Sequence, residues 1–294
     1  MNKTACVFGG SGFLGSHVSE QLCKAGVRVR IFDKARSPWL RPGQEMIVGD
    51  ILNESEVDDA IDGCDVVYNF AALSDLDEGL KRPLDTVRLN VLGNVHILEA
   101  CRRFRVERFV YASTVYVYSR QGGFYRCSKQ AAEQYVEEYQ RLYGLNYTIL
   151  RYGSLYGPRA DENNGIYKII KKALDTGVIY YEGSVEATRE YIHVHDAARA
   201  SVVALESEFM NQSVVLTGQQ RMRVFDLLKM LAEILGADTE VEFVDSQHEG
   251  HYVRTPYAYQ PKLGVKYVPP MYVDLGQGLI QLIDEIKSSL DGKT

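Results

Sequence analysis

Two tyrosine–lysine pairs at helical spacing are the residues of this sequence best suited to acid–base chemistry. Tyr125 and Lys129 lie within "FYRCSK", and Tyr167 and Lys171 repeat the same spacing. Residues four positions apart share one face of a helix, so each lysine can approach the tyrosine before it. A phenol ordinarily titrates at about pH 10, and a neighbouring ammonium favours the phenolate. The spacing therefore predicts a tyrosine that works as a general base.

Hydroxyl groups distinguish the first pair from the second. Ser113 and Thr114 end a predicted strand, "ERFVYAST", and Tyr125 opens the helix that follows. Ligands of parallel sheets bind beyond the carboxyl ends of the strands, so we expect these three side chains to face one ligand. Tyr167 and Lys171 follow no such strand end. We expect them to be surface and packing residues.

The segment "CVFGGSGFLGSHV" predicts a phosphate-binding turn. Gly9, Gly12 and Gly15 are spaced G-x-x-G-x-x-G between an apolar strand and an amphipathic helix. In that setting backbone N–H groups and the helix N-terminus face a pyrophosphate, which indicates a dinucleotide. The alternative interpretation is an ordinary tight turn between a strand and a helix.

Asp33 ends the second predicted strand, at the distance from the glycines that is typical of a ribose-binding carboxylate. Such a carboxylate accepts hydrogen bonds from the adenine-ribose hydroxyls and repels a 2′-phosphate, which favours NAD over NADP. Lys34 and Arg36 are cations that could receive that phosphate, and Asp33 could instead be a solvated turn residue. We expect NAD as the cofactor.

Alternating strands and helices predict an α/β fold of the Rossmann type. Apolar strand-like runs in the first half are separated by amphipathic stretches at about residues 12–24, 54–61, 83–103 and 125–143. This order is typical of a doubly wound parallel sheet with helices on both faces. We expect a dinucleotide-binding domain over residues 1–153. A smaller C-terminal α/β substrate-binding domain is expected over residues 154–294, with segments that can return to the main sheet.

Composition argues against several classes of partner. The chain of 294 residues has a net charge of -6 and no basic block, so we expect no nucleic-acid binding and no attraction to an anionic membrane. No apolar run approaches the ~20 residues of a membrane span, and a strand pattern begins where a signal peptide would lie. We therefore expect a cytoplasmic protein. The five cysteines are scattered, which favours neither disulfides nor a metal site.

Five separated motifs together resemble the extended short-chain dehydrogenase/reductase family, in its sugar-nucleotide epimerase and dehydratase branch. They are the spaced glycines, "YAST", Tyr125-x-x-Ser128-Lys129, "RYGSLYGPR" and "REYIHVHD", in this order. The resemblance implies tightly bound NAD, a nucleoside-diphosphate sugar as substrate, and a homodimer built on paired helices. It also implies that Thr114 holds the substrate oxygen while Tyr125 removes its proton. Lys129 and the positive charge of an oxidised nicotinamide would both favour the phenolate.

The resemblance also implies individual contacts. Asp50 is similar to a residue that meets the adenine, and Asn90 to one that supports the active-site backbone. Arg189 resembles an arginine that grips the substrate diphosphate, and its alternative is a pair with a surface carboxylate. Arg254, in a later loop, is a candidate for binding the nucleotide. The expected cofactor contacts are Gly9, Gly12, Phe13, Leu14, Gly15, Asp33, Asp50, Ile51, Ala71, Asn90, Tyr125 and Lys129, and the expected substrate contacts are Ser113, Thr114, Ser154, Arg189 and Arg254.

The sequence departs from the family pattern around the sugar pocket. The segment of residues 119–124 before Tyr125 is shorter than is usual in this branch, and Ser154 stands where an asparagine often touches the substrate. The 4,6-dehydratases resemble one another in an Asp-Glu pair directly after the catalytic threonine, and decarboxylating relatives usually keep a glutamate at the second of these positions. Here the two residues are Val115 and Tyr116, which argues against both reactions.

The expected function is therefore that of an NAD-dependent nucleotide-sugar 4-epimerase, with Tyr125 as the base in a transient oxidation at C4. The nearest alternative is a nucleotide-sugar 4-ketoreductase or dehydrogenase, which runs one half of this cycle with the same residues. An alternative of another class is a non-catalytic NAD-sensing binding protein. The short segment of residues 119–124 is the main support for that third interpretation.

Overall fold

The computed structural model describes residues 3–184, 186–219, 221–236, 239–244 and 254–257. These ranges include both tyrosine–lysine pairs and every predicted site residue. A last helix that the sequence predicts near the C-terminus lies outside the described residues. Among the described residues, no helix is both long enough and apolar enough to span a membrane.

Strands and helices alternate through the first half of the chain, as the sequence predicts. The strands are β1 (Thr4–Phe8), β2 (Arg28–Asp33), β3 (Gln44–Val48), β4 (Val66–Asn69), β5 (Arg108–Thr114), β6 (Tyr147–Tyr152), β7 (Ser154–Tyr156), β8 (Val178–Glu182), β9 (Thr188–His193), β10 (Gln212–Leu216), β11 (Arg221–Arg223) and β12 (Glu240–Val244). The α-helices are α1 (Phe13–Lys24), α2 (Glu54–Ile61), α3 (Leu76–Lys81), α4 (Pro83–Val87), α5 (Gly93–Arg103), α6 (Gly123–Tyr143), α7 (Gly165–Thr176), α8 (Val194–Val203) and α9 (Val224–Leu235). A π-helical turn, Arg88–Leu92, joins α4 to α5, and 3-10 helices span Val115–Tyr118 and Ser207–Phe209.

Seven parallel strands form the central sheet in the order β10-β6-β5-β4-β1-β2-β3. Along β1, Ala5 and Val7 pack into one core while Cys6 and Phe8 pack into another, because successive side chains of a strand point to opposite faces. Helices α2, α5 and α6 cover one face of the sheet, and α1 and α8 cover the other. This arrangement confirms the predicted doubly wound α/β fold.

The second half of the chain supplies two smaller sheets. In one, β9 pairs with β7 and β11, and in the other β8 pairs with β12. Helices α7 and α9 pack on these strands in a third core that contains Ala173, Ile179 and Leu228. One strand of this half, β10, instead pairs in parallel with β6 and extends the central sheet. We retain a boundary after residue 153 as a proposal in which β10 and α8 return to the first domain.

We predict that Gly15→Ala destabilises the protein by about 1–3 kcal/mol, the usual range for overpacking. A Cβ at this position would lie 2.2 Å from the carbonyl oxygen of Gly9, so the turn between β1 and α1 would have to move. Urea denaturation measures the free energy of unfolding. Gly165→Ala is the matched control, because a Cβ there meets no atom of the described residues within 4 Å. Equal stability of the two variants would contradict the prediction.

Candidate active site

A cleft of about 840 Å³ opens at the carboxyl edge of the central sheet. Residues at or just after the ends of β1, β2, β4, β5 and β6 line it, because parallel strands all end at the same edge. The second half contributes lining residues such as Ile166, Tyr181 and Leu228. The fold thus brings the predicted glycine turn, hydroxyls and tyrosine to one cavity.

The glycine turn lines one part of this cleft. Gly9 has a φ of +75°, and a Cβ there would lie 2.6 Å from the backbone nitrogen of Ala71, so the close approach of the two backbones requires glycine. Gly12 is the N-cap of α1 and offers no side chain to the first helical turn, which contains no acidic residue. Phe13 and Leu14 of that turn line the cleft. This uncapped, positive helix end fits the pyrophosphate of a dinucleotide.

Of the three residues expected near the adenosine, two line the cleft and one does not. Asp33 lines the cleft, and its Oδ2 accepts a hydrogen bond of 3.0 Å from the backbone N–H of Ser11. Ile51 also lines the cleft. Asp50 does not, because its Oδ1 accepts the N–H of Leu52 at 2.9 Å in a local turn. The structure therefore brings Asp33 and Ile51 into the cleft and leaves the Asp50 carboxylate beside it.

Tyr125 and Thr114 meet in the cleft. Thr114 is the last residue of β5, Tyr125 lies in the first turn of α6, and both line the cleft, where the Thr114 hydroxyl is near enough to lower the pKa of Tyr125. The backbone N–H of Tyr116 donates to Thr114 Oγ1 at 3.2 Å, which fixes the position of that hydroxyl. A phenol and an alcohol are thus held together where a ligand oxygen could contact both.

The second tyrosine–lysine pair lies on α7. Neither Tyr167 nor Lys171 lines the cleft, and the ammonium of Lys171 forms an exposed ion pair with Glu162. Their placement agrees with the expected surface role.

Lys129 is buried one helical turn after Tyr125. Its Nζ donates to the carbonyl oxygen of Ala112 at 2.8 Å and lies 4.8 Å from the centre of the Tyr111 ring and 5.9 Å from that of Tyr125. Burial lowers the pKa of Lys129 to about 7, and burial raises the pKa of Tyr125 to about 12 against a smaller opposite effect of Thr114. For these two side chains alone, burial opposes the ionisation of the phenol, and the expected effect of Lys129 on it stays a prediction. Burial dominates, and a phenolate needs further positive charge nearby.

Asn90 supports the backbone beside the cleft and does not line it. It lies in the π-helical turn, a local widening that is frequent at functional sites. Its Oδ1 accepts the N–H of Leu73 at 2.7 Å, and its Nδ2 donates to the carbonyl of Leu73 at 3.0 Å and to Ser128 Oγ at 2.8 Å. Asn90 thus ties the segment after β4 to α6, next to Lys129.

Ser113 lines the cleft, but its hydroxyl is engaged inside the protein. Ser113 Oγ donates to Glu133 Oε1 at 2.5 Å. The sequence showed that Ser113 follows a strand, but it did not show this carboxylate twenty residues later. The structure thus places the residue in the cleft as expected, with its hydroxyl donating to a carboxylate inside the protein, and its contact with a substrate stays a prediction.

The remaining predicted substrate residues are divided between the cleft and the surface. Ser154 on β7 and Arg189 on β9 line the cleft, and the Arg189 side chain is buried there. Arg189 Nη1 donates to the carbonyl of Thr188 at 3.3 Å. Arg254 is exposed and forms a backbone bridge with Thr188, outside the residues that line the cleft.

Asp75 and Lys168 line the cleft and were not singled out from the sequence. Lys168 Nζ on α7 lies 3.1 Å from Oδ2 of Asp75, the N-cap of α3. Burial would raise the pKa of Asp75, but the N–H of Glu78 and the charge of Lys168 lower it overall. The polar pair "SD" shortly after β4 is a strand-end signal that could have indicated Asp75. Lys168 carries no such signal, because only tertiary structure brings α7 here.

Residues 5–216 match a model of the family described as the NAD dependent epimerase/dehydratase family. The chain belongs to this family. Membership confirms the predicted resemblance, the enzymatic class and NAD as the family's cofactor. The glycine turn, the Tyr125–Thr114 pair and Lys129 all fall within the matched residues.

Relatives in the NAD dependent epimerase/dehydratase family carry out more than one reaction. A UDP-glucose 4-epimerase of Thermus thermophilus, solved with NAD, is 26% identical, with a TM-score of 0.78 over 89% of this chain and 95% of that one. A UDP-glucose 4-epimerase of Thermotoga maritima, solved with UDP-glucose, is 25% identical, with a TM-score of 0.79 over 98% and 99%. A UDP-N-acetyl-alpha-D-glucosaminuronate decarboxylase of Bacillus cytotoxicus is 25% identical over 83% of this chain and 84% of its own.

The burial of Lys129 predicts how stability depends on pH. The folded pKa is about 7 and the unfolded value is about 10.4, so between them the unfolded chain binds a proton that the folded chain lacks. The free energy of unfolding therefore rises with pH between these two pKa values. Below pH 7 the amine is protonated in both states, so the cost of burying its charge no longer changes with pH. We predict that wild type gains about 1 kcal/mol per pH unit relative to Lys129→Met between pH 7 and 9.

Urea denaturation at several pH values measures this difference. Lys24→Met, at an exposed position of α1, controls for the loss of a lysine. Parallel pH profiles of wild type and Lys129→Met would show that the amine is not withdrawn from water.

Proposed function

We propose that this family member is a nucleotide-sugar 4-epimerase that acts by transient oxidation at C4, with Tyr125 as the base. The observation that carries the proposal is that Tyr125 and Thr114 line the same cleft as the glycine turn. Val115, directly after Thr114, is apolar and buried, so it cannot supply the acid expected of a 4,6-dehydratase. Oxidation and reduction at one carbon is the reaction that these residues suit.

The cleft residues also support an assignment for the cofactor. NAD would lie with its pyrophosphate at the N-terminus of α1 and its adenine ribose at Asp33. When bound, NAD supplies the acceptor that takes a hydride from the sugar and returns it. Lys34 Nζ lies 3.5 Å from Asp50 Oδ2, so its charge is already directed to a carboxylate. This supports NAD over NADP, because a 2′-phosphate would meet Asp33 and compete with Asp50 for Lys34.

Each proposed step at the substrate assigns one task to one side chain. Thr114 orients the 4-hydroxyl of the sugar, and Tyr125 takes its proton and later returns it. Because burial raises the pKa of Tyr125 to about 12, proton removal depends on positive charge, from protonated Lys129 and from an oxidised nicotinamide. Arg189 is proposed to hold the substrate diphosphate, for which its forked donors are suited. The relatives support a UDP-sugar as substrate.

We predict that the purified protein interconverts the C4 epimers of at least one UDP-sugar, with no added NAD and no net NADH. Incubation with UDP-, GDP-, CDP- and dTDP-sugars, followed by NMR and mass spectrometry of the products, tests this. Tyr125→Phe should lower turnover by about 100- to 10,000-fold, because the base is lost while the ring remains. Tyr167→Phe is the matched control, since this tyrosine also precedes a lysine by four residues but does not line the cleft.

The alternatives give different outcomes in the same experiment. A 4-ketoreductase or dehydrogenase would consume or release NADH in proportion to product. A non-catalytic NAD-binding protein would turn over none of the sugars, and Tyr125→Phe would leave its cellular function unchanged. Loss of mass equal to one water would indicate dehydration and contradict the argument from Val115.

We also propose the homodimer that the family resemblance implies. Paired helices from the α4–α5 and α6 regions would form the interface, and exposed apolar side chains on them, such as Val87 and Leu142, support this. We predict a mass of twice 33.2 kDa by light scattering at micromolar concentration, and a shift to monomer in Val87→Lys. Leu174→Lys, at an exposed apolar position on α7, is the control. A wild-type monomer would refute the proposal.

A further inference from the structure

A buried polar network lies behind the reacting pair. Ser113 Oγ donates to Glu133 Oε1, Arg151 Nε donates to the same oxygen at 3.0 Å, and Arg151 Nη2 donates to Oε2 at 2.7 Å. Arg151 Nη1 donates to the hydroxyl of Tyr118 at 2.6 Å. Glu133 is only 4% exposed. The carboxylate is therefore held by three donors in a site closed to bulk water.

The network joins the elements that carry the reacting groups. Ser113 directly precedes Thr114 on β5, and Tyr118 ends the 3-10 helix that begins after Thr114. Arg151 lies opposite Ser113 in the register of β5 and β6. Glu133 lies on α6, two helical turns after Tyr125. A single carboxylate thus connects the strand end that carries Thr114 with the helix that carries Tyr125.

Glu133 also bears on the charge of Lys129. Tyr125, Lys129 and Glu133 are spaced i, i+4 and i+8 on α6 and so share one face of the helix. From β5, Lys129 is faced by the Tyr111 ring and the Ala112 carbonyl, and neither carries a charge. Burial lowers the pKa of Lys129, and the negative charge of Glu133 opposes that shift.

Arg151 is the charged partner of Glu133 in this network. Burial alone would lower the pKa of Arg151, but the hydrogen bonds and charge of Glu133 raise it above the ordinary value. The guanidinium therefore stays charged, and its two hydrogen bonds hold Glu133 on the helix face that it shares with Lys129. Glu137, one turn further along α6, is the next carboxyl group in this direction, and the charge of Glu133 raises the pKa of Glu137, as its burial also does.

We propose that Glu133 is a positioning residue of this enzyme: its carboxylate anchors the strand end that carries Thr114 and favours the charged form of Lys129 beside Tyr125. The residue acts only as an acceptor and a charge, so no bond to substrate forms or breaks at it. The catalytic consequence rests on the proposed function. The effect on Lys129 is a property of this chain that can be measured without turnover.

The first test is a titration of Lys129 by NMR in protein labelled at the lysine side chains, with the signal assigned by its absence in Lys129→Met. In Glu133→Gln we expect the titration midpoint of Lys129 to fall by about one pH unit, because an opposing charge within one helical turn is lost. Glu137→Gln is the matched control and should leave the midpoint in place. An unchanged midpoint in Glu133→Gln overturns the proposal, whether or not the protein proves to be an epimerase.

The second test separates positioning from simple stabilisation. Glu133→Gln leaves the partly buried Arg151 guanidinium without its counter-charge, so this variant is expected to lose stability. The double variant Glu133→Met/Arg151→Met removes both charges and should recover thermal stability. We expect its epimerase kcat to remain at least about tenfold below wild type, with the Lys129 midpoint still lowered. Recovery of both kcat and the midpoint in the double variant would show that Glu133 serves stability alone.

Discussion

An amine withdrawn from water at the carboxyl edge of the sheet constrains the groups around it. Taking an ammonium out of water costs several kcal/mol, so either its surroundings compensate or it gives up its proton. Around Lys129 the compensation consists of one carbonyl, two aromatic rings and the carboxylate of Glu133. The balance between the charged and the neutral amine therefore falls near neutral pH. A single additional charge in the cleft is enough to change it.

The burial of Lys129 also explains why the contacts around it must be held in place. A buried donor must point at a fixed acceptor, and Ala112 can be that acceptor only while β5 and α6 keep their spacing. Asn90 maintains the neighbouring contact, because it clamps both backbone groups of Leu73 and also holds Ser128, the residue before Lys129. The π-helical turn allows this, since it interrupts the regular helix between α4 and α5 at that residue. Rigidity at the site comes from elements that the ligand never touches.

Much of this architecture could be predicted because it depends on near neighbours in sequence. The alternation of strands and helices predicts the layered α/β fold, and the spaced glycines predict the turn between β1 and α1. The spacing of Tyr125 and Lys129 predicts that they share one face of a helix. On α6, which carries apolar residues at helical spacing, Ala132, Val136 and Tyr139 are buried, while Tyr135 and Tyr143 are exposed.

The other features of the site depend on contacts between residues far apart in the sequence, which a local sequence pattern does not reveal. The orientation of Ser113 is decided by Glu133, the protonation of Lys129 by depth of burial, and the pair of Asp75 with Lys168 by a helix far along the chain. Asp50 lies beside the cleft, where its Oδ1 accepts the N–H of Leu52 in a local turn, and its contact with the adenine stays a prediction.

The return of α8 and β10 to the central sheet has an evolutionary consequence. Within the described residues, the backbone carbonyl of Ser201 on α8 accepts a hydrogen bond of 2.9 Å from the buried hydroxyl of Tyr68, and Ser201 Oγ is hydrogen-bonded to the hydroxyl of Tyr152 at 2.7 Å. Strand β10 covers the edge of β6. A recombination event that replaced everything after residue 153 would have to recreate these contacts or leave an open strand edge prone to association. We therefore expect new sugar preferences in proteins of this fold to evolve by single substitutions in residues that line the cleft, and not by replacement of the whole segment after residue 153.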